Sequence, residues 1–393
     1  MNIGKIANNG SSLFQSIIPR PIWNTRSQIN FSRAFSQTEK RSKADAIQKQ
    51  RLGKVLKNLV EFHKSQVAIN QESRAIALRE AEEQAFREYN WLMEEVKLDT
   101  TKKYETRKTE KVIELAQRLS NGEPLSYVLG NQPFGPLLIK CMPPTLIPRP
   151  ETEALTEYIF EQLRDAFREH IHRQEGQMRP LRILDLCTGS GCISLLIRHR
   201  LLELISKETS SQSQSPAFQI LGVDIADSAL QLARKNLALY DTDADHGDLV
   251  SQYGHLVPVS FERGDMLDES KFCDFIAQHG PFDVVLCNPP YIPAKEWKEL
   301  DASVREWEDR LALVGHPDNE SDGLLFYRRL AQSIEIHELL ALSKNGQLPL
   351  VAMEVGHDQA EKVREIFAGQ KKVPQLEIWT DLFDKQRAVI AKM

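Results

Sequence analysis

From Arg41 to Ser120, charged and apolar residues alternate at helical spacing. Leu52, Val55, Leu56, Leu59 and Val60 form one apolar stripe, and Ala81, Phe86, Tyr89, Leu92 and Met93 form another. Recurrence at three and four residues places such side chains on one helix face, and no strand-like alternation interrupts the pattern. A small helical domain is therefore predicted over residues 41–120. Between Gly122 and Pro150 the character changes. Gly122, Pro124, Gly130, Pro133, Gly135 and Pro136 punctuate two short β-prone pieces, Tyr127 to Leu129 and Leu137 to Ile139. Residues 121–150 read as a hairpin linking two domains.

Beyond residue 150, short apolar runs alternate with amphipathic stretches. Strands are predicted at Leu181–Leu186, Gln219–Asp224, Val257–Glu262, Phe282–Cys287, Leu348–Glu354, Leu376–Thr380 and Arg387–Ala391. Helices are predicted at Thr152–Phe167, Ser194–Arg198 and Ala226–Leu237. Strand, helix and strand in repeated order make an α/β domain over residues 151–393, a doubly wound parallel sheet that takes ligands at the carboxyl ends of its strands. Two polar stretches without periodicity, Ser206–Ser215 and Asp241–Tyr253, read as elongated surface loops.

Composition narrows the function. With 393 residues and 41% hydrophobic side chains, the chain can build at least one full core. A formal net charge of −5 speaks against nucleic-acid binding by general attraction. The five cysteines, Cys141, Cys187, Cys192, Cys273 and Cys287, lack CxxC spacing, so reduced thiols and no metal are expected. No apolar run approaches the ~18 residues of a bilayer span, so no membrane association is expected. In residues 1–40, Lys5, Arg20, Arg26, Arg33 and Lys40 surround the first acid, Glu39, amid many Ser and Asn. This is the profile of an organelle transit peptide; a disordered basic tail is the alternative.

The chemistry concentrates at predicted strand ends. The run Asp185-Leu186-Cys187-Thr188-Gly189-Ser190-Gly191 leads from an apolar strand through a tight turn into a helix, whose first N–H groups are open to a polar ligand. Dinucleotides use similar turns, so this one alone leaves the ligand open. At the next strand end Asp224 can accept hydrogen bonds from both ribose hydroxyls, or else cap the helix that follows. At the third, Asp265 and Met266 suit an adenine ring, an acceptor for its amine beside an apolar wall. Three such ends in order point to a nucleoside-containing ligand.

Asn288-Pro289-Pro290-Tyr291 follows the fourth strand. Paired prolines fix φ and donate no backbone hydrogen bond, so they hold the neighbouring carbonyls stiffly. A substrate NH₂ can donate one hydrogen to the Asn288 side chain and the other to the Pro289 carbonyl, turning its lone pair toward an electrophilic methyl. Hydrogen bonds that strengthen as charge develops on nitrogen act in the transition state. Tyr291 is expected against the planar face of the target and near the positive centre of the donor.

Together these residues resemble the class I methyltransferases that act on exocyclic nitrogens of DNA, RNA or protein glutamine. Further segments narrow the resemblance. They are Gly122 to Gly130, Phe134-Gly135, Leu146 to Glu153 (Leu-Ile-Pro-Arg-Pro-Glu-Thr-Glu), Asp322 to Leu324, Met353 to Gly356 with Gln359, Asp381-Leu382 and Arg387. The span from Leu119 to Ala391 is similar to the HemK or PrmC family of release-factor glutamine methyltransferases.

The resemblance implies a Rossmann-like, mostly parallel sheet whose last strand is antiparallel, with a small helical N-terminal domain that helps grip the substrate. It implies S-adenosyl-L-methionine as cofactor, held by Asp185, Cys187, Thr188, Gly189, Ser190, Gly191, Asp224, Asp265, Met266 and Asn288. The Gly-Gly-Gln glutamine of a peptide chain release factor would be bound by Asn288, Pro289, Pro290 and Tyr291, with Pro148, Arg149 and Glu151 as site wall. Asn288, Pro289 and Tyr291 carry the catalytic expectation. Arg33-Ala34-Phe35-Ser36 resembles a matrix-protease cleavage site, so a mitochondrial matrix enzyme, monomeric and without direct nucleic-acid contact, is expected. Two departures stand out: Cys187 replaces a usual glycine, and Asp309 a usual proline. A nucleic-acid amine methyltransferase is the competing reading.

Overall fold

A computed structural model of the chain describes residues 43–66, 74–97, 106–173, 179–208, 215–315, 322–341 and 348–393. The transit-peptide expectation over residues 1–40 lies outside them, as does most of the predicted Ser206–Ser215 loop. The chain divides into two compact units, the first ending at Gln117 and the second beginning at Arg118. In the first, helices Lys43–Ser65 and Arg74–Glu95 bury Leu52, Val55, Leu56 and Leu59 on one and Ala81, Ala85, Tyr89, Leu92 and Met93 on the other. Phe86, expected within that stripe, is exposed, and Ala85 takes the buried position beside it. The half-buried His63 meets the buried Glu88 carboxylate at 2.7 Å.

Leu125–Leu129 is a short helix, where the sequence suggests a β-prone piece at Tyr127 to Leu129. Pro124 precedes its first turn, where a missing N–H costs nothing. Gly130, at φ 79°, ends it in the left-handed region. The hairpin follows as β1 (Asn131–Phe134) and β2 (Leu137–Lys140), paired antiparallel.

Seven further strands form one sheet: β3 (Leu181–Leu186), β4 (Phe218–Asp224), β5 (Val259–Arg263), β6 (Val284–Cys287), β7 (Leu350–Glu354), β8 (Gln375–Thr380) and β9 (Gln386–Lys392). Their spatial order is β5-β4-β3-β6-β7-β9-β8. The first five are parallel, and β9 runs antiparallel to both β7 and β8, as expected. Every residue of β6 and β7 is buried, so near-continuous apolar runs mark them.

Buried clusters fill both faces of this sheet. One gathers Ile159, Leu163 and Phe167 of helix Pro150–Arg173 with Leu196, Leu201 and Phe218. The other gathers Phe272, Tyr327, Leu330 and Phe367. The stretch Asp241–Tyr253 is largely helical, through the end of Asp227–Thr242 and then Gly247–Tyr253, where a loop is predicted. Tyr253 is buried, His246 stacks on Tyr240 at 4.9 Å, and Asp241 pairs with Arg198, so tertiary contacts order a locally polar segment.

Candidate active site

After β3 the chain turns outward to β4 and β5, then returns to β6 on the opposite side of β3. That reversal opens a crevice at the carboxyl ends of β3 and β6, the place where open α/β sheets hold ligands. A cavity lies there. Cys187, Gly189, Asp224, Asp265, Met266, Asn288 and Pro290 all line it, so three predicted strand ends and the reactive tetrapeptide converge on one space.

The remaining predicted cofactor residues stand behind its wall. Asp185 is fully buried, and its Oδ2 accepts hydrogen bonds from the Thr188 hydroxyl at 2.6 Å, the Ser194 hydroxyl at 2.6 Å and the Ser194 N–H at 3.1 Å. Burial pushes its carboxyl up to about 6. The Gly191 N–H donates to the Thr188 carbonyl at 2.9 Å, and Asn236 holds the Ser190 carbonyl. These four residues brace the turn, and Cys187 and Gly189 present it. Cys187 adopts φ 59°, a conformation natural to glycine.

Asp224 stands at the end of β4. Its Oδ1 accepts from the Ala226 N–H and its Oδ2 from the Gly189 N–H, each at 2.9 Å, so it braces two turns while lining the cavity. Each oxygen keeps a second lone pair for a ligand. Burial raises its carboxyl, and nearby Asp309 adds repulsion. Asp309 lines the cavity and caps the helix Arg310–Val314 through the Leu311 N–H. Leu146, Leu311, Ala312 and Phe326 complete apolar walls that sequence reasoning did not assign.

On the substrate side the predicted residues form structural locks. Arg149 gives two hydrogen bonds to Glu308, at 2.6 and 2.8 Å, and Glu308 also accepts the Ile147 N–H. Glu151 pairs with Arg387 at 3.2 Å. Among the wall residues of the cavity are Thr145 and Leu146, and not Pro148, Arg149 or Glu151. Pro289 is buried. Tyr291 packs at the edge of a core cluster, its hydroxyl 3.3 Å from Glu354 and its carbonyl accepting from Gln359 at 2.8 Å.

The sequence reading also missed a connected set of side chains. Asn288 Nδ2 donates to Thr152 Oγ at 3.0 Å, and Thr152 Oγ donates to Glu354 Oε2 at 2.6 Å. Burial pushes the Glu354 carboxyl up to about 7. With one Nδ2 hydrogen given to Thr152, Oδ1 is the acceptor that Asn288 can offer a ligand. Glu354 and Thr152 occur within the segments that carry the resemblance, but nothing local in the sequence joins them.

Sequence comparison adds relatives to this geometry. A family model described as N-6 DNA Methylase matches residues 168–347. The probable MRF1 mitochondrial N(5)-glutamine methyltransferase mtq1 of Schizosaccharomyces pombe is 33% identical over 291 residues, 72% of this chain and 80% of that protein. The release factor glutamine methyltransferase of Thermodesulfovibrio yellowstonii is 32% identical over 64% of this chain and 70% of its own length. Its counterpart in Lactococcus lactis is 30% identical over 71% and 81%.

Proposed function

The chain belongs to the release factor glutamine methyltransferases, which are S-adenosyl-L-methionine-dependent enzymes, and from that premise we propose that it methylates the N5 amide of the Gly-Gly-Gln glutamine in a mitochondrial peptide chain release factor. The observation that carries this reading is the placement of Asn288 on the wall of the cavity, with its Nδ2 engaged by Thr152 and its Oδ1 left as acceptor.

The cavity fits the cofactor. Asp224, Asp265 and Asp309 give it a negative lining suited to a molecule with sulfonium and ammonium charges, and Met266, Leu311 and Phe326 supply apolar surface for an adenine ring. Asp224 would hold the ribose, and Cys187 and Gly189 would approach the amino-acid end. When bound, the cofactor supplies an electrophilic methyl carbon.

The protein's own part is to orient the acceptor. Asn288 Oδ1 takes one hydrogen of the glutamine NH₂ and the Pro289 carbonyl takes the other, so the nitrogen lone pair points away from both. As positive charge grows on nitrogen, both hydrogen bonds strengthen, which lowers the barrier without a strong base. Arg149 anchors Glu308 and Glu151 anchors Arg387, and with Pro148 they are expected to border the substrate side of the site. The helical domain expected over residues 41–120 would grip the release factor.

The N-6 DNA Methylase match spans the sheet shared by enzymes acting on several kinds of NH₂ group. The segments Gly122 to Gly130 and Leu146 to Glu153, which favour a glutamine substrate, lie before it. A net charge of −5 also disfavours a nucleic-acid partner. A mitochondrial setting is supported by the fission-yeast relative's name and by the basic residues among positions 1–40, and we infer a matrix enzyme that acts as a monomer. The test is to incubate the purified chain and S-adenosyl-L-methionine with a mitochondrial release factor and map the product by fragment mass spectrometry. One methyl on the Gly-Gly-Gln glutamine is expected, lost in Asn288→Ala; an unmodified factor would refute the assignment.

A further inference from the structure

Thr152 has one hydroxyl hydrogen and two close polar neighbours, Glu354 Oε2 at 2.6 Å and Asn288 Nδ2 at 3.0 Å. An ionised carboxylate can only accept, so Thr152 must give its hydrogen to Glu354 and accept from Asn288. The chain therefore has a direction, running from Asn288 through Thr152 to Glu354. We propose that Thr152 and Glu354 are positioning residues that set which face of the Asn288 amide meets the substrate, and that proton uptake by Glu354 reverses the chain and turns that amide over.

The reversal follows from counting hydrogens. A proton on Glu354 Oε2 becomes a donor to Thr152, whose own hydrogen is released from the carboxylate and finds its acceptor by pointing at Asn288. Asn288 answers by rotating its amide to offer Oδ1, which leaves its NH₂ toward the cavity. That NH₂ opposes the NH₂ of a glutamine and cannot hold it. Glu354 is suited to this control because burial places its carboxyl near neutrality, at about 7.

The groups facing Glu354 come from four elements. Thr152 and Glu151 lie on helix Pro150–Arg173, Glu151 raising the carboxyl; Tyr291 in the loop after β6 has its hydroxyl 3.3 Å from Oε1; Arg387 on β9 lowers the carboxyl by its charge. Tyr327 on helix Leu325–Ile336 donates to the Glu354 carbonyl, so it fixes the backbone and leaves the carboxylate untouched.

This inference rests on the proposed glutamine reading, and the test separates the two. With full-length enzyme and a release factor, kcat and KM are measured between about pH 5.5 and 8.5 for wild type, Thr152→Val, Thr152→Ser and Glu354→Gln. The wild type should lose kcat on the acid side. Thr152→Val should lose about tenfold or more in kcat with cofactor affinity kept within about twofold, and Thr152→Ser should restore kcat to within about threefold. Neither Thr152→Val nor Glu354→Gln should retain the acid limb, because neither has the reversible chain.

An acid limb that persists in both variants, or Thr152→Val with wild-type kcat, would overturn the proposal. In parallel, the side-chain amide resonance of ¹⁵N-labelled Asn288 in the full chain should shift with pH in wild type and stay fixed in Glu354→Gln; a pH-independent wild-type resonance also overturns it. If the wild type methylates no release factor, the glutamine reading fails, while the Asn288 resonance still decides whether the chain reverses.

Discussion

Two single residues show how tightly the backbone of the site is set. Gly323 sits at φ 76°, and a Cβ there would lie 2.2 Å from the Tyr291 carbonyl oxygen and 2.6 Å from Gln359 Nε2. Those two atoms form the hydrogen bond that holds the loop after Pro290. Gly323→Ala must therefore displace the tetrapeptide, and a fall in kcat of about tenfold or more is expected, with a lowered melting temperature as the accompanying sign. Cys187 is the converse case, a side chain where φ of 59° suits glycine. A left-handed residue costs roughly 1–2 kcal/mol, and β-branching adds to that. Cys187→Gly should leave stability within about 1 kcal/mol and keep cofactor affinity, while Cys187→Val should lose about 1–2 kcal/mol more and bind S-adenosyl-L-methionine more weakly, as denaturant titration and calorimetry would show.

At the scale of elements, the sheet was legible because its signals are local. All seven main strands fall where apolar runs predict them, and β3 at Leu181–Leu186 matches residue for residue. Tyr127 to Leu129 misled because its β-prone side chains are overruled by Pro124 before the turn and the left-handed Gly130 after it. Asp241–Tyr253 misled because its order comes from Arg198 and Tyr240, side chains outside the segment or at its margin.

The chain Asn288–Thr152–Glu354 was illegible for the same reason, since 136 and 202 residues separate its bonded pairs. So was the pairing of Arg149 with Glu308 across 159 residues. Glu308 is 1% exposed at its side chain, so Arg149→Met would leave a buried carboxylate without its cation. The expected cost is about 2–4 kcal/mol in urea unfolding of the full chain, and Arg149→Met with Glu308→Gln should recover part of it, a non-additivity that marks the pair.

At the scale of the whole molecule, the proposed active protonation state conflicts with stability. Asp185 and Glu354 have folded carboxyls raised by burial to about 6 and about 7, from ordinary values of 3.8 and 4.5. The folded protein binds their protons more tightly than the unfolded chain does. The stability they contribute is complete below about pH 4 and is lost as pH rises through 6 and then 7. His170 and His199 act in the opposite sense: burial lowers both, His199 to about 4, so the stability linked to them is lost as pH falls below about 6.5. The two opposed pairs should give the full chain a shallow stability maximum on the acid side of neutrality.

Glu354→Gln isolates one member of that balance, because it keeps the shape and removes the charge. At pH 5.5 the variant and the wild type should melt at similar temperatures. By about pH 8.5 the variant should be the more stable by roughly 1–3 kcal/mol, since the wild type alone must hold a buried carboxylate ionised. Paired melting curves at the two pH values decide it, and a gap that fails to widen with pH would mean that Glu354 is already ionised in the fold. The same substitution should abolish the acid limb of turnover, so the state that aims Asn288 at its substrate is the one the fold finds costlier to maintain.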